Sequence, residues 1–185
     1  QSNLFKSYIS KMLKSKIDLI ITSGAVSAGK YDFVPSAVRN FQLSNYFKSV
    51  AIRPGKPILF AKIKGKPKAV FGLPGNPISS AACFRFFVYP YIRSLLGIKE
   101  EISFKARLKN EFRKKNDFTR FVKSKLSTTK NGKLEVEILK GQESFRIKSF
   151  IQSNIWVMLP SGKERFKKGE TVDCFFPNQP NNNFL

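Results

Sequence analysis

Residues 72–77 read Gly-Leu-Pro-Gly-Asn-Pro, and no other six residues restrict the chain so tightly. Two prolines and two glycines in six positions exclude regular helix and strand, so the segment is a turn of fixed course. Ala69-Val70-Phe71 before it reads as a strand, and Ile78-Ser79-Ser80-Ala81-Ala82 after it opens a helical pattern. Pro77 then takes the first helical position, where its missing N–H costs nothing, and Asn76 takes the cap. A strand, a turn and a helix start leave N–H groups open to an anion. An ordinary strand-to-helix connection would be spelled the same way, so other segments must choose between the two.

The flanking pattern extends the α/β alternation in both directions. Leu4, Phe5, Tyr8, Ile9, Met12 and Leu13 repeat at helical spacing, and Asp18–Thr22 follows as a short apolar strand. Ser23–Lys30 is a loop of small residues, and Pro35 marks a helix start with Val34, Val38 and Phe41 on one face. Ser49–Ile52 reads as a strand ending at Pro54-Gly55. Pro57–Ile63 and Lys68–Phe71 read as a hairpin around Lys64–Pro67. The helix from Pro77 is expected to reach about Leu96, kink at Pro90 and stop at Gly97. Strands this apolar predict an α/β domain over 1–99, a mainly parallel sheet with flanking helices.

Beyond Lys99 the period changes to that of strands. Ile102–Leu108, Phe118–Leu126, Leu134–Leu139, Ile155–Leu159 and Thr171–Phe176 alternate with turns such as Asn131-Gly132, Ser161-Gly162 and Lys168-Gly169. No amphipathic helix is evident among them, which predicts a small all-β, barrel-like domain over 100–177. Residues 178–185 read as a loose tail. The chain opens Gln-Ser-Asn inside a helical pattern, and the expectation is the C-terminal part of a longer protein.

Composition narrows the chemistry. With 42% apolar and 14% aromatic residues the chain is globular, and 34 Lys and Arg against 12 Asp and Glu favour anionic partners. The basic residues are spread along the chain, which a generally Lys-rich residue usage would also produce. The absence of histidine excludes Ser-His-Asp and Cys-His catalysis and His-ligated metals within these residues. Cys83 and Cys174 are isolated in apolar company and read as core thiols in a reducing compartment, the cytoplasm. No apolar run is long enough to span a membrane.

Three loops leave strands where a doubly wound sheet would bind its ligand: Ser23–Asp32, Arg53–Pro57 and Leu73–Pro77. Backbone N–H groups, with Ser23 and Ser27, can approach an anion in the first. Asp32 at its end fits two roles, holding Mg²⁺ beside phosphate or capping the helix ahead of Pro35. In the second, Arg53 can grip an oxyanion bidentately and Lys56 acts as a point charge.

Thr22-Ser-Gly-Ala-Val-Ser-Ala-Gly-Lys-Tyr-Asp32, Val50-Ala-Ile-Arg-Pro-Gly-Lys-Pro57 and Phe71-Gly-Leu-Pro-Gly-Asn-Pro-Ile-Ser79 together resemble the MoeA-type molybdopterin molybdotransferases, the family of the gephyrin E domain. The resemblance continues through Asp117-Phe-Thr-Arg120, Gly141-Gln-Glu-Ser144 and Ser153-Asn-Ile-Trp-Val-Met-Leu-Pro160. It implies an N-terminally incomplete, MogA-like molybdopterin-binding domain followed by the family's β domain. It implies insertion of molybdate into adenylylated molybdopterin with Mg²⁺ and release of AMP, by a homodimer that can meet the molybdopterin adenylyltransferase. The fragment alone is expected to be inactive.

On the same resemblance Asp32 is the catalytic acid at the metal, and Arg53, Lys56, Pro57, Arg120 and Ser144 line the molybdate pocket. Ser27, Pro74, Gly75, Asn76 and Pro77 are further substrate-binding residues for molybdate or pterin, Pro74 and Pro77 matching the paired prolines of the pterin-site loop. Ala25, Ser49 and Glu143 depart from the family's pattern. Two other functions compete. An adenylyltransferase would share the α/β domain but not a β domain with Arg120 and Ser144. A basic nucleic-acid-binding module would need a concentrated basic face with exposed aromatics, whereas the phenylalanines sit in core-like patterns; neither nucleic acid nor membrane is expected as a partner.

Overall fold

The first helical pattern becomes α1 (Ser2–Lys14), which buries Ile9 and Leu13 and leaves Leu4 and Tyr8 exposed. The computed structural model describes residues 2–24, 34–39, 41–115 and 117–178. They fall into two units, Gln1–Val50 with Gly55–Phe84, and Ala51–Pro54 with Arg85–Leu185. The change of pattern read at Lys99 thus lies some way after the point where the contacts divide.

In the first unit, β1 (Leu19–Ser23), β2 (Leu43–Phe47), β4 (Leu59–Ile63) and β5 (Ala69–Leu73) form one sheet in the order β1-β5-β4-β2. Ile52–Arg53, numbered β3, pairs in the other unit. Only β1 and β5 are parallel, while β4 is antiparallel to both β5 and β2. The expected mainly parallel sheet is therefore corrected to a mixed one. The reason is connection length: Lys64–Pro67 is a tight turn, and parallel neighbours need a crossover of a dozen residues or more. β2 escaped the sequence reading because Leu-Ser-Asn-Tyr-Phe is too polar for a buried run, yet Leu43 and Tyr46 pack on the core. That core joins Ile9 and Leu13 of α1, Val34 and Val38 of α2 (Val34–Arg39), and Leu59, Ala61, Ile63 and Val70 of the sheet.

The long helix expected after Pro77 is three consecutive pieces. They are α3 (Pro77–Cys83), a π-helical turn (Phe84–Val88) and α4 (Tyr89–Leu95). Pro90 can give no N–H to the carbonyl of Phe86 and its ring crowds that carbonyl, so the preceding turn widens to accommodate it. Gly97 ends the helix at φ +67°, its N–H bonded to Ser94 O, as expected of a C-terminal glycine.

In the second unit, β3, β6 (Phe104–Leu108), β8 (Thr119–Thr128), β9 (Leu134–Ile138), β10 (Ile155–Leu159) and β12 (Thr171–Phe175) run in the order β10-β12-β6-β9-β8-β3. β10 also pairs with β8, so five of these strands close on themselves and β3 adds to the edge. Closure buries alternate residues, among them Ala106, Leu108, Val122, Val136, Val157, Leu159 and Cys174. Two short strands, β7 (Phe112–Arg113) and β11 (Arg165–Phe166), pair separately. The all-β expectation misses one helix, α5 (Ile147–Gln152), whose six residues are too few to show a period. Cys83 and Cys174 are fully buried free thiols, and burial pushes each up to about 12.

Candidate functional site

β3 exists because Ile52 and Arg53 lie parallel to the first residues of β8, with Thr119 N–H donating to Ala51 O at 3.1 Å. The register sets Arg53 directly against Arg120. Neither arginine forms an ion pair among the described residues, although two guanidinium groups side by side repel. Arg120 Nε is buried and bonded to no acceptor among those residues. Burial, and then the charge of Arg53, pull the pKa of Arg120 down, with Asp117 acting in the opposite sense. Arg53 is exposed and lies over the Phe118 ring, 5.4 Å from its centroid. An unpaired, partly desolvated pair of cations is held where an anion would relieve both burial and repulsion.

The two arginines open on a cavity of about 430 Å³, with Arg53, Pro54 and Arg120 facing Gln142, Glu143, Ser144 and Phe145. Ser144 thus brings a hydroxyl donor, and Glu143 a carboxylate that is exposed. The loop that carries them is tied down from behind. Lys123, 1% exposed, donates from Nζ to the carbonyls of Gly141 (2.7 Å), Glu143 (3.1 Å) and Arg146 (3.3 Å). Gln142 Oε1 accepts the N–H of Lys123, and its Nε2 donates to Lys123 O and Leu139 O. Burial lowers the pKa of Lys123, and the nearby Glu143 counters this.

A second buried lysine acts through Phe118. Lys114 Nζ donates to Lys115 O and Phe118 O, holding the turn that sets Phe118 beneath Arg53. Its pKa is lowered first by burial and then by Arg120. The sequence reading missed Lys114, Gln142, Lys123 and Phe118. The one available signal was a lysine inside the apolar run Phe121-Val122-Lys123-Ser124, all four buried because both faces of β8 are covered here: Val122 lies in the barrel core, Phe121 stacks on Phe86 and Lys123 lies under the Gly141 loop.

In the first unit the Gly-Leu-Pro-Gly-Asn-Pro turn is built as read. Asn76 caps α3, its Oδ1 accepting the N–H groups of Ile78 (3.2 Å) and Ser79 (3.3 Å), with Pro77 at the first helical position. Those donors are therefore already occupied within the turn itself. Pro74 O accepts the hydroxyls of Ser23 and Ser80, and Gly24 N–H donates to Leu73 O at 2.9 Å. The parallel pairing of β1 and β5 thus brings the first and third loops together. A side chain at Gly75 would lie 3.6 Å from Gly24 Cα, an ordinary contact.

The second loop does not leave a strand of that sheet. Arg53 and Pro54 belong to the second unit, with Arg120 and Ser144. Lys56 and Pro57 belong to the first, where Val50 N–H donates to Lys56 O. Ser27 and Asp32 lie outside the described residues, and with them Ala25. Among the described residues no cluster of three acidic or thiol groups could hold a metal, and no helix is long and apolar enough to cross a membrane.

Residues 2–94 match the family described as probable molybdopterin binding domain, and residues 105–175 match the MoeA C-terminal region (domain IV). The chain is 36% identical over 166 residues to a molybdopterin molybdenumtransferase of Staphylococcus aureus (strain COL), covering 88% of this chain and 39% of that protein. The corresponding enzyme of Staphylococcus epidermidis (strain ATCC 12228 / FDA PCI 1200) is 36% identical over 174 residues, 92% of this chain and 41% of that one. A molybdopterin biosynthesis moea protein from Pyrococcus horikosii superposes with a TM-score of 0.68 at 28% identity, over 95% of this chain and 41% of its own. The chain therefore spans well under half the length of each of these relatives.

Proposed function

Because the chain belongs to the molybdopterin-binding domain family and carries a MoeA C-terminal region, we propose that the protein it forms part of inserts molybdate into adenylylated molybdopterin and releases AMP. One observation carries the reading: the buried Nε of Arg120, unpartnered among the described residues, set against Arg53, which forms no ion pair among them, in a cavity of about 430 Å³. Molybdate is a compact tetrahedral dianion. Two guanidinium groups and the Ser144 hydroxyl supply the charge and the donors that such an ion takes. An adenylyltransferase alone would not call for the C-terminal region that furnishes Arg120 and Ser144.

In this reading Arg53 and Arg120 bind and neutralise the anion, Ser144 orients it, and Lys56, three residues along from Arg53, adds a further cation. Pro57 borders these cations, Pro74, Gly75, Asn76 and Pro77 shape the pterin wall, and Ser27 donates to an anionic group. Catalysis is then chiefly positioning and charge neutralisation, which needs no histidine. Asp32 would hold Mg²⁺, whose charge would neutralise phosphate. The same reading takes the full protein as a cytoplasmic homodimer, supplied by a molybdopterin adenylyltransferase.

The test is AMP release by the full-length protein with adenylylated molybdopterin, molybdate and Mg²⁺. Asp32→Ala is expected to abolish turnover, and Lys56→Ala to raise the molybdate requirement. Wild-type AMP release by both variants would overturn the site.

A further inference from the structure

We infer that Lys123 is a positioning residue for oxyanion recognition, its buried ammonium holding the Gly141–Arg146 loop so that Ser144 meets the anion beside Arg120. The inference rests on the reading of the Arg53–Arg120 cavity as the molybdate site.

A lysine at 1% exposure is costly, because the ammonium loses its hydration. Closing the barrel does not call for it: Val122, Val157 and Leu159 do that work with apolar side chains. Nor does the ammonium sit in an ion pair among the described residues. All three of its N–H donors go to carbonyls of one loop, those of Gly141, Glu143 and Arg146. That loop contributes Gln142, Glu143, Ser144 and Phe145 to the cavity.

Two further sets of hydrogen bonds hold the same loop. Ser149 Oγ donates to Gly141 O (2.6 Å) and Arg146 O (2.9 Å), and Gln142 binds both main-chain groups of Lys123. The effect on an anion is twofold. Carbonyl oxygens that would repel an oxyanion are tied to a cation instead, and the hydroxyl of Ser144 is presented from a loop with little freedom. A neutral side chain of the same length cannot make three such bonds.

Lys123→Met keeps the length and removes the donors. In the full-length protein, calorimetric titration with molybdate is expected to show affinity weaker by about 10-fold, the worth of one charge-assisted hydrogen bond. The KM for molybdate should rise by a similar factor while kcat and the KM for adenylylated molybdopterin stay within about 3-fold. Amide exchange over residues 141–146 should quicken. The loss should also be non-additive with Ser144→Ala, since Lys123 acts through that hydroxyl.

Unchanged molybdate affinity in a folded Lys123→Met protein, or full additivity with Ser144→Ala, overturns the inference. Should Lys123→Met fail to fold, Ser149→Ala releases two of the same carbonyls and is expected to weaken molybdate by about 3-fold; no change there overturns it equally. Arg120→Ala separates the premise from the inference. Wild-type molybdate binding by Arg120→Ala removes the site reading itself. Binding lost in Arg120→Ala but kept in Lys123→Met removes only the role of Lys123.

Discussion

Arg85 and Arg120 lie in the same unit, each lining a cavity, and their surroundings differ in almost every respect. Arg85 is 4% exposed and fully engaged: Nε donates to Phe176 O at 2.6 Å and a terminal nitrogen pairs with Glu101 at 2.5 Å. Its guanidinium also lies within 6 Å of the centroids of the Phe86, Tyr89 and Phe175 rings. Its cavity is the larger, about 720 Å³, with Phe86, Phe87, Phe121 and Phe175 in its lining. Arg120 opens on about 430 Å³ with an unbonded Nε and a second cation beside it. Size would choose the first cavity. Unsatisfied charge chooses the second, because a guanidinium whose bonds are complete within the protein has little left to offer a ligand.

That contrast is breakable by paired substitutions. Arg85→Ala strands the carboxylate of Glu101, 11% exposed, and is expected to destabilise the protein by about 3–5 kcal/mol in chemical unfolding. Molybdate affinity of the protein that remains folded should not move. Arg120→Ala should do the reverse. It removes a repulsive neighbour of Arg53, so stability stays within about 0.5 kcal/mol of wild type or rises. Molybdate affinity falls by about 10- to 100-fold, the loss of one or two charge-assisted hydrogen bonds. Equal destabilisation by the two variants would dissolve the distinction between a structural and a ligand-binding arginine.

How far the sequence foresaw this contrast depends on the range of the interaction. Asn76, Pro77 and Gly97 act within four residues of themselves, and their capping and stopping roles were legible. The strands of the second unit were legible by their period. The partners of β3 were not: Ile52–Arg53 looks like any short apolar strand, and its pairing with Thr119–Arg120 spans 67 residues of chain. Arg53, Arg120 and Ser144 could be joined beforehand only through resemblance to a family. Lys123 was hidden because lysine defaults to the surface, and nothing local announces three carbonyls of a distant loop. The mixed sheet was misjudged since apolar strands suggest burial on both faces, not direction.

Asn76 extends the comparison to the first unit, as a polar group whose carbonyl oxygen, like the Nε of Arg85, is bonded within the protein. Asn76→Ala removes the acceptor for Ile78 and Ser79 N–H and should cost about 1 kcal/mol of stability. Asn76→Asp restores an acceptor and should recover most of it. Neither change should alter calorimetric molybdate binding at the Arg120 cavity by more than about 2-fold. A large loss of molybdate affinity in Asn76→Ala with stability intact would make the turn part of the anion site.

The smallest expected effect is an acid one, and its sign follows from the same distinction. Burial alone would raise the pKa of Asp173, but hydrogen bonds from Lys105 (2.6 Å) and Ser103 (2.5 Å), with the charge of Lys105, outweigh it and hold the carboxyl below its ordinary value. A group whose folded pKa is depressed contributes stability above the ordinary aspartate value and loses it as pH falls through the folded one. Lys105 is exposed, so solvent screens the pair and the contribution stays below about 1 kcal/mol. Asp173→Asn should therefore be slightly less stable than wild type at neutral pH, and the gap should close as unfolding is followed down through the carboxylate range. Arg120 is charged throughout that range, so Arg120→Ala should keep a constant offset from wild type over the same titration. A gap for Asp173→Asn that stays flat into strong acid would mean that the carboxylate is not held by its partners.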